Sequence, residues 1–250
     1  MTLPIIIDTD PGIDDAAALS VALLHPFFDV KMISTVNGNV SIEKTTSNAL
    51  KLKAFFNSDV PVHRGSAKPL INKAIDASQV HGESGMYGYD FKDHIREIVL
   101  MGGSSGRGNV TPLAEFNIYS DPESAHIVFE SDLPITMIGL DLARQSLLTH
   151  DYLASFEHLS RTSAMLYQIF QHYRENDFAK GLKLYDVFTV LYLLDPESYE
   201  TILASVRIEL HGTLTKGATV VDYDSHYPNC KIVTSSINKN YCSIFKDTIK

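Results

Sequence analysis

Four aspartates lie within the DTDPGIDD segment at residues 8–15, directly after a short apolar run. Pro11 and Gly12 favour a turn between the first pair of acids and the second pair. Carboxylates crowded in this way repel one another unless a cation neutralises them, and several hard oxygen ligands suit Ca²⁺ or Mg²⁺. A solvated acidic turn with Asp14 capping the next helix is the simpler alternative, although a cap needs only one acid. The glycine comes too early for an EF-hand, so a different kind of metal loop is predicted.

Short apolar runs alternate with amphipathic segments on both sides of this loop. The runs predict strands at residues 5–7, 30–36, 60–63, 98–101 and 135–140, and the segments between them predict helices at 14–24, 41–56 and 122–130. Because these runs lack polar alternation, they are typical of parallel strands covered on both faces. We therefore predict an α/β fold, with a doubly wound and mainly parallel central sheet flanked by helices. In such a fold, sites lie at the carboxyl ends of the strands.

The second half of the chain has a more helical pattern. It predicts helices at 152–176 and 184–194, a hairpin through 206–222 and a closing helix near Asn238. Neither an internal repeat nor a linker interrupts the 250 residues, so we predict one domain over residues 1–250.

The formal net charge is −9, and no run of lysines and arginines interrupts it. Such a field repels nucleic-acid polymers and anionic membranes, so neither is expected as a partner. Cys230 and Cys242 are the only cysteines and lack zinc-site spacing, so both are expected to be free thiols. The N-terminus resembles neither a signal peptide nor a membrane helix, and a cytoplasmic location is expected.

The DTDPGIDD segment resembles the N-terminal signature of the inosine-uridine preferring nucleoside hydrolases. Further segments resemble this family in the family's order: TVNGN at 35–39, HGESG at 81–85, MGG at 101–103, GN at 108–109 and AEFNIY at 114–119. The resemblance covers nearly the whole chain and is closest to the branch that accepts purine and pyrimidine ribonucleosides. It implies an enzyme of nucleoside salvage that hydrolyses N-glycosidic bonds, with a nucleoside-hydrolase fold and a homo-oligomeric state.

The resemblance also implies a ligand set for the metal. It assigns Asp10, Asp15 and Asp186 to Ca²⁺, with Asp10 also acting as the base that activates the attacking water. Asp14 would bind a ribose hydroxyl. Without the resemblance, Asp186 would be interpreted as a helix cap, because it precedes a helical run.

Several polar residues match ribose-binding positions of the family. The substrate contacts implied in this way are Asn39, Met101, Asn109, Glu115 and Asn117. Amide and acid groups suit sugar hydroxyls and can stabilise an oxocarbenium-like transition state. Glu115 and Asn117 flank an apolar residue and are predicted to face the same way, whereas Asn109 in its glycine-rich loop could equally be a turn residue.

The chain departs from the family in two places. The family has a histidine that protonates the leaving base where this chain has Tyr185, a weaker acid, and His81 is a second candidate for that role. In addition, the family carries a helix, a strand and a helix between the positions matching residues 89–91 and 95–100. We therefore predict a fold shortened by one internal helix-strand-helix segment, whose threonine carbonyl normally contributes a Ca²⁺ ligand.

Two other functions are compatible with parts of the sequence. The shortened chain could be a catalytically impaired scaffold or a binder of ribose or nucleosides. A phosphatase of the haloacid dehalogenase type also places Asp-x-Asp after its first strand, although the PGIDD continuation and the later motifs have no role in phosphoryl transfer.

Overall fold

A computed structural model of the chain describes residues 2–70, 95–173 and 180–250. The first part of the chain forms a three-stranded parallel sheet in the order β1-β2-β3. Two helices connect its strands. The elements are β1 (Leu3–Thr9), α1 (Ile13–Leu24), β2 (Phe28–Thr35), α2 (Ile42–Phe55) and β3 (Val62–Arg64).

The rest of the chain builds a five-stranded sheet in the order β4-β5-β10-β8-β9. β4, β5 and β10 are parallel, and β8 and β9 continue the sheet in antiparallel pairing. The strands are β4 (Ile98–Met101), β5 (Ile135–Ile138), β8 (Tyr199–Ile208), β9 (Thr219–Asp222) and β10 (Cys230–Ser236). A two-stranded antiparallel ribbon pairs β6 (Leu147–Leu148) with β7 (Leu182–Lys183).

Seven further helices accompany these strands within the described residues. They are α3 (Phe116–Ser120), α4 (Pro122–Phe129), α5 (Leu140–Gln145), α6 (His150–Ala154), α7 (Arg161–Phe170), α8 (Val187–Leu194) and α9 (Asn240–Thr248), and a 3-10 turn covers Pro196–Ser198. None of the helices in the described residues is long and apolar enough to cross a membrane. Both cysteines are free, as expected.

One hydrophobic cluster lies between the two larger sheets and is shared by both of them. Helices α1 and α8 pack together in it, and Ala17, Val21, Phe188 and Leu191 are buried there. Side chains of β1, β4, β5 and β10 pack against the same cluster. The two sheets therefore share a core, while the single-domain organisation stays a prediction.

The predicted α/β fold with mainly parallel strands and flanking helices is confirmed, but the strands form two larger sheets. In the described residues, β1 and β4 each form an edge of a separate sheet. Ile6 in the middle of β1 is 66% exposed, and every residue of β4 is half-buried. This interruption lies at the place in the chain order where the sequence predicts a missing strand. Residues 89–94, next to the predicted deletion, lie outside the described residues.

Two details of the second half differ from the sequence-based prediction. The single helix predicted at 152–176 is wrong in its described part, because α6 and α7 are separate helices. The side chain of Ser160 accepts a hydrogen bond from Ser163 N at 3.0 Å. Ser160 is therefore the N-cap at which α7 starts as a separate helix. Strand β10 was not predicted, although it pairs with β5 and β8 at the centre of the second sheet. The hairpin of β8 with β9 and the closing helix α9 are confirmed.

Candidate active site

The aspartate loop connects β1 to α1, as predicted, and a neighbouring loop holds it in place. Asn39 N donates to Asp10 Oδ2 at 2.5 Å, and the side-chain amide of Asn39 donates to Asp10 O at 3.2 Å. A Cβ at position 38 would lie 2.1 Å from Asp10 Oδ2, so a larger residue there would displace the Asp10 carboxylate. The loop after β2 therefore fixes the position of the Asp10 carboxylate.

Asp15 is 3% exposed and is the most heavily hydrogen-bonded acid of this loop. Its Oδ1 accepts from Thr9 Oγ1 at 2.6 Å, and its Oδ2 accepts from Gly12 N at 2.8 Å and from Asn39 Nδ2 at 3.0 Å. Asn39, which was predicted to contact ribose, is thus also a structural bridge between Asp10 and Asp15. Thr9 was not singled out from the sequence, although it lies inside the aspartate motif.

Asp186 joins the loop through the packing of α8 against α1. Oxygen atoms of Asp14, Asp15 and Asp186 lie within 4.8 Å of one another, and this group could hold a metal ion. Asp14 thus stands among the candidate ligands, whereas the family resemblance assigns it to ribose. Asp10 lies outside this close group.

Electrostatic repulsion links Asp10 to the other three carboxyls. Burial, and then the charges of Asp14 and Asp15, raise the pKa of Asp186 well above its usual range. Burial, and then the charge of Asp15, raise the pKa of Asp10 to about 7. In the part of the chain that the structure describes, no lysine, arginine or histidine forms an ion pair with any of them.

The donor set of this aspartate cluster (Asp10, Asp14, Asp15 and Asp186) fits a hard divalent cation. Carboxylate oxygens are the ligands that Ca²⁺ prefers, and a cation would relieve the repulsion that raises these pKa values. Three of the acids come from one turn and the first residues of α1, and the fourth precedes α8.

A second group of predicted residues lies at the end of β4. Glu115 is 2% exposed, and its carboxylate accepts hydrogen bonds from the backbone N–H groups of Gly103, Asn117 and Ile118 at 2.9–3.2 Å. Asn117 Nδ2 donates to Met101 O at 3.1 Å. Burial raises the pKa of Glu115, and these backbone hydrogen bonds oppose the rise. Glu115, Asn117 and Met101 are therefore brought together, and their contacts with ribose stay a prediction.

Asn109 has a structural role in the same region. Its Oδ1 accepts from Phe116 N at 2.9 Å, and its own N–H donates to Ala114 O at 3.1 Å. These bonds fasten the glycine-rich loop to the start of α3. The turn alternative weighed for Asn109 is therefore part of its role, and a contact with ribose stays a prediction.

The two candidate proton donors differ in what can be said of them. Tyr185 is 8% exposed and packs with Leu140, Ala143 and Met101, so it lies between the aspartate cluster and the end of β4. His81 lies outside the described residues. Near the same cluster, Tyr173 donates its hydroxyl to Asp14 Oδ2 at 3.0 Å.

A comparison with protein-family models identifies this architecture. The model of the inosine-uridine preferring nucleoside hydrolases matches residues 5–91 and 89–242. The chain belongs to this family. The two matched stretches meet at residues 89–91, where the sequence predicts the missing segment. Membership of the nucleoside hydrolase family leaves no support for the phosphatase alternative.

Individual relatives agree with the family match. The non-specific ribonucleoside hydrolase RihC of Escherichia coli O127:H6 is 42% identical to this chain over an alignment of 272 positions. The alignment covers 90% of each protein. Because this alignment is longer than the 250-residue chain, RihC carries residues that the chain lacks. A RihC from Shigella sonnei is also 42% identical, with the same coverage.

Solved structures of nucleoside hydrolases share the fold. A plant nucleoside hydrolase is 27% identical, covers 98% of both chains and has a TM-score of 0.82. A purine-preferring ribonucleoside hydrolase from Gardnerella vaginalis is 23% identical, covers 99% of this chain and 98% of its own, and has a TM-score of 0.81. The second likeness concerns the fold alone.

Proposed function

We propose that this protein hydrolyses the N-glycosidic bond of ribonucleosides to ribose and free base, with Ca²⁺ as its cofactor. The observation that carries the proposal is the convergence of Asp14 and Asp15 with Asp186, which precedes α8, and the charge of Asp10 also acts on Asp186. RihC is named as non-specific, and its 42% identity supports the acceptance of both purine and pyrimidine nucleosides here.

Asp10, Asp15 and Asp186 would hold the cation, and the Asp14 oxygens lie close enough to Asp15 and Asp186 to join them. When bound, Ca²⁺ supplies positive charge that orients ribose hydroxyls and lowers the pKa of a nearby water. The hydrogen bonds that Asp15 receives from Thr9, Gly12 and Asn39 keep its carboxylate oriented.

Asp10 would act as the general base. In the reaction, a water oxygen forms a bond to the anomeric carbon, the bond from that carbon to the base nitrogen breaks, and Asp10 takes the water proton. Asn39 and the close approach of Gly38 fix Asp10, so its carboxylate needs no rearrangement before proton transfer.

The leaving base requires a proton, and Tyr185 and His81 are the candidates for supplying it. Tyr185 precedes Asp186 and is buried against Met101, which is compatible with a position beside the sugar. Because a tyrosine is a weaker acid than the family histidine, we expect purine leaving groups to benefit least from it.

Asp14, Asn39, Met101, Asn109, Glu115 and Asn117 would bind the ribose. Acid and amide groups that are held by hydrogen bonds to the backbone offer the sugar a preorganised polar surface. Such a surface stabilises the transition state better than a flexible site would. We further propose that the protein acts in the cytoplasm as a homo-oligomer, on small-molecule nucleosides rather than on nucleic-acid polymers or membranes.

The test is release of reducing sugar from uridine and inosine by the purified protein, with Ca²⁺ and with a chelator. The proposal expects release that saturates with calcium. Nucleoside binding should be measured in parallel by calorimetry, because the interruption between β1 and β4 favours the nucleoside binder as second candidate. Binding without release would support that candidate, and release that persists in the chelator would contradict the calcium dependence.

A further inference from the structure

A cavity of about 460 Å³ lies beside the loop that follows β4. Arg107, Asn109 and Thr111 line it from the loop, and Arg144 reaches it from α5. Its volume lies within the range of pockets that hold small molecules and exceeds what a single ion needs. Neither arginine belongs to the residues that the proposed hydrolase mechanism uses.

Hydrogen bonds hold the wall of this cavity in one conformation. Gly108 N donates to Pro112 O at 2.9 Å, and Thr111 Oγ1 accepts from Ala114 N at 2.9 Å. A Cβ at position 108 would lie 2.2 Å from Ala114 O, so a glycine is required for this tight loop. A ligand that enters the cavity therefore meets a wall that is already ordered, which lowers the entropic cost of binding.

The charge of the cavity differs from that of the whole chain. Arg107 and Arg144 bring two guanidinium groups to a protein of net charge −9. In the described ranges neither of them forms an ion pair. Arg144 donates through Nη2 to Gly108 O at 2.9 Å, and a guanidinium has five N–H donors in total. Asp141, the nearby acid of α5, accepts from Ser105 N at 2.7 Å.

We propose that this cavity binds the phosphate group of a phosphate monoester through Arg107 and Arg144. Two guanidinium groups match the charge of a phosphate monoester, which is close to −2 at neutral pH, and arginine pairs with phosphate oxygens in a bidentate geometry. The side chains of Asn109 and Thr111 add polar groups suited to an attached sugar. Asn109 is also a proposed ribose contact of the hydrolase site, but the phosphate contacts of Arg107 and Arg144 do not rest on the proposed hydrolase activity.

The test is calorimetric titration of the full chain in calcium-free buffer with ribose 5-phosphate, inorganic phosphate and ribose. We expect ribose 5-phosphate to bind at one site and ribose to bind at least tenfold more weakly there. Tighter binding of ribose 5-phosphate than of inorganic phosphate would assign the site to a sugar phosphate, and equal binding would assign it to free phosphate. Absence of saturable binding by both phosphates would overturn the proposal.

Three variants assign the binding to the cavity. Arg107→Gln and Arg144→Gln should each weaken ribose 5-phosphate binding about tenfold. Arg64→Gln removes one positive charge from β3 of the other sheet and should leave binding unchanged. An equal loss in all three variants would show a long-range charge effect and overturn the proposal. Arg144→Gln could fail to fold, because the hydrogen bond from Arg144 to Gly108 is lost. In that case the Arg107→Gln result alone tests the proposal, since the side chain of Arg107 is exposed and holds no described element in place.

Discussion

Asp15 and Glu115 are both almost fully buried carboxylates, at 3% and 2% exposed, but their surroundings differ. Glu115 stands apart from other acids and receives hydrogen bonds from three backbone N–H groups. Asp15 lies in a cluster with three further carboxyls. Its pKa is raised, mainly by burial and secondly by the charge of Asp14. Backbone N–H groups thus satisfy the Glu115 carboxylate. Asp15 belongs to a cluster of acids whose negative charge the described residues do not balance.

Burial alone does not distinguish an acid that stabilises the fold from an acid that binds a cation. The hydrogen-bond partners and the neighbouring charges do. A buried acid whose partners are backbone N–H groups needs no neutralising cation, because those dipoles stabilise its charge. A buried cluster of acids needs either protons or a cation. We therefore expect calcium to act on the aspartate cluster and to have little effect on the Glu115 region.

The largest expected effect is on catalysis. Replacing Asp10 by asparagine removes the proposed base, and we expect kcat for ribose release from uridine to fall about a thousandfold. Asp59→Asn, at an exposed position outside the site, is the matched control and should keep the rate of the unmodified protein. A rate for Asp10→Asn within tenfold of the unmodified protein would refute the assigned role.

Calcium should stabilise the folded protein through the cluster. At a concentration one hundred times its Kd, the expected gain in the free energy of unfolding is about 2.7 kcal/mol, which raises the unfolding temperature by roughly 5–10 °C. Asp186→Asn should lose most of this gain in differential scanning calorimetry, while Glu115→Gln should retain it. Equal losses in both variants would show that the two regions are not distinct.

Glu115 should contribute to stability in a way that calcium does not influence. Glu115→Ala leaves three backbone N–H groups without their acceptor, two of them in buried hydrogen bonds, and we expect a loss of about 3 kcal/mol in urea unfolding. Glu115→Gln keeps one acceptor oxygen and should lose only about 1 kcal/mol. If alanine and glutamine cost the same, the hydrogen bonds of Glu115 are not the source of its stabilising effect.

A further effect is expected on the pH dependence of stability without calcium. The pKa of Asp10 is raised to about 7 in the folded chain, above its unfolded value of 3.8. A raised acid pKa contributes stability that is present below the unfolded value and is lost as pH rises through the folded value. The unfolding temperature in chelator should therefore fall between pH 5 and pH 8, and saturating Ca²⁺ should reduce this slope. An unchanged slope with calcium would argue against binding at Asp10.

Local patterns in the sequence were sufficient for much of the site. The aspartate turn after β1 and the strand that ends at Met101 depend on neighbouring residues, and the structure places them as predicted. The separation of α6 from α7 was not predicted, because the apolar spacing continues across the serine that caps α7.

Sequence by itself determined the type of fold, the acids of the first loop and the family, because these follow from short-range spacing and ordered motifs. Only the tertiary structure brought Asp186 to Asp14 and Asp15, and joined Tyr173 to Asp14 across 159 positions of the chain. Among the described residues, it also decided that β1 and β4 lie at the edges of separate sheets and that Arg107 and Arg144 share a cavity. Such contacts depend on how helices and sheets pack, and local propensity carries no information about packing between distant segments.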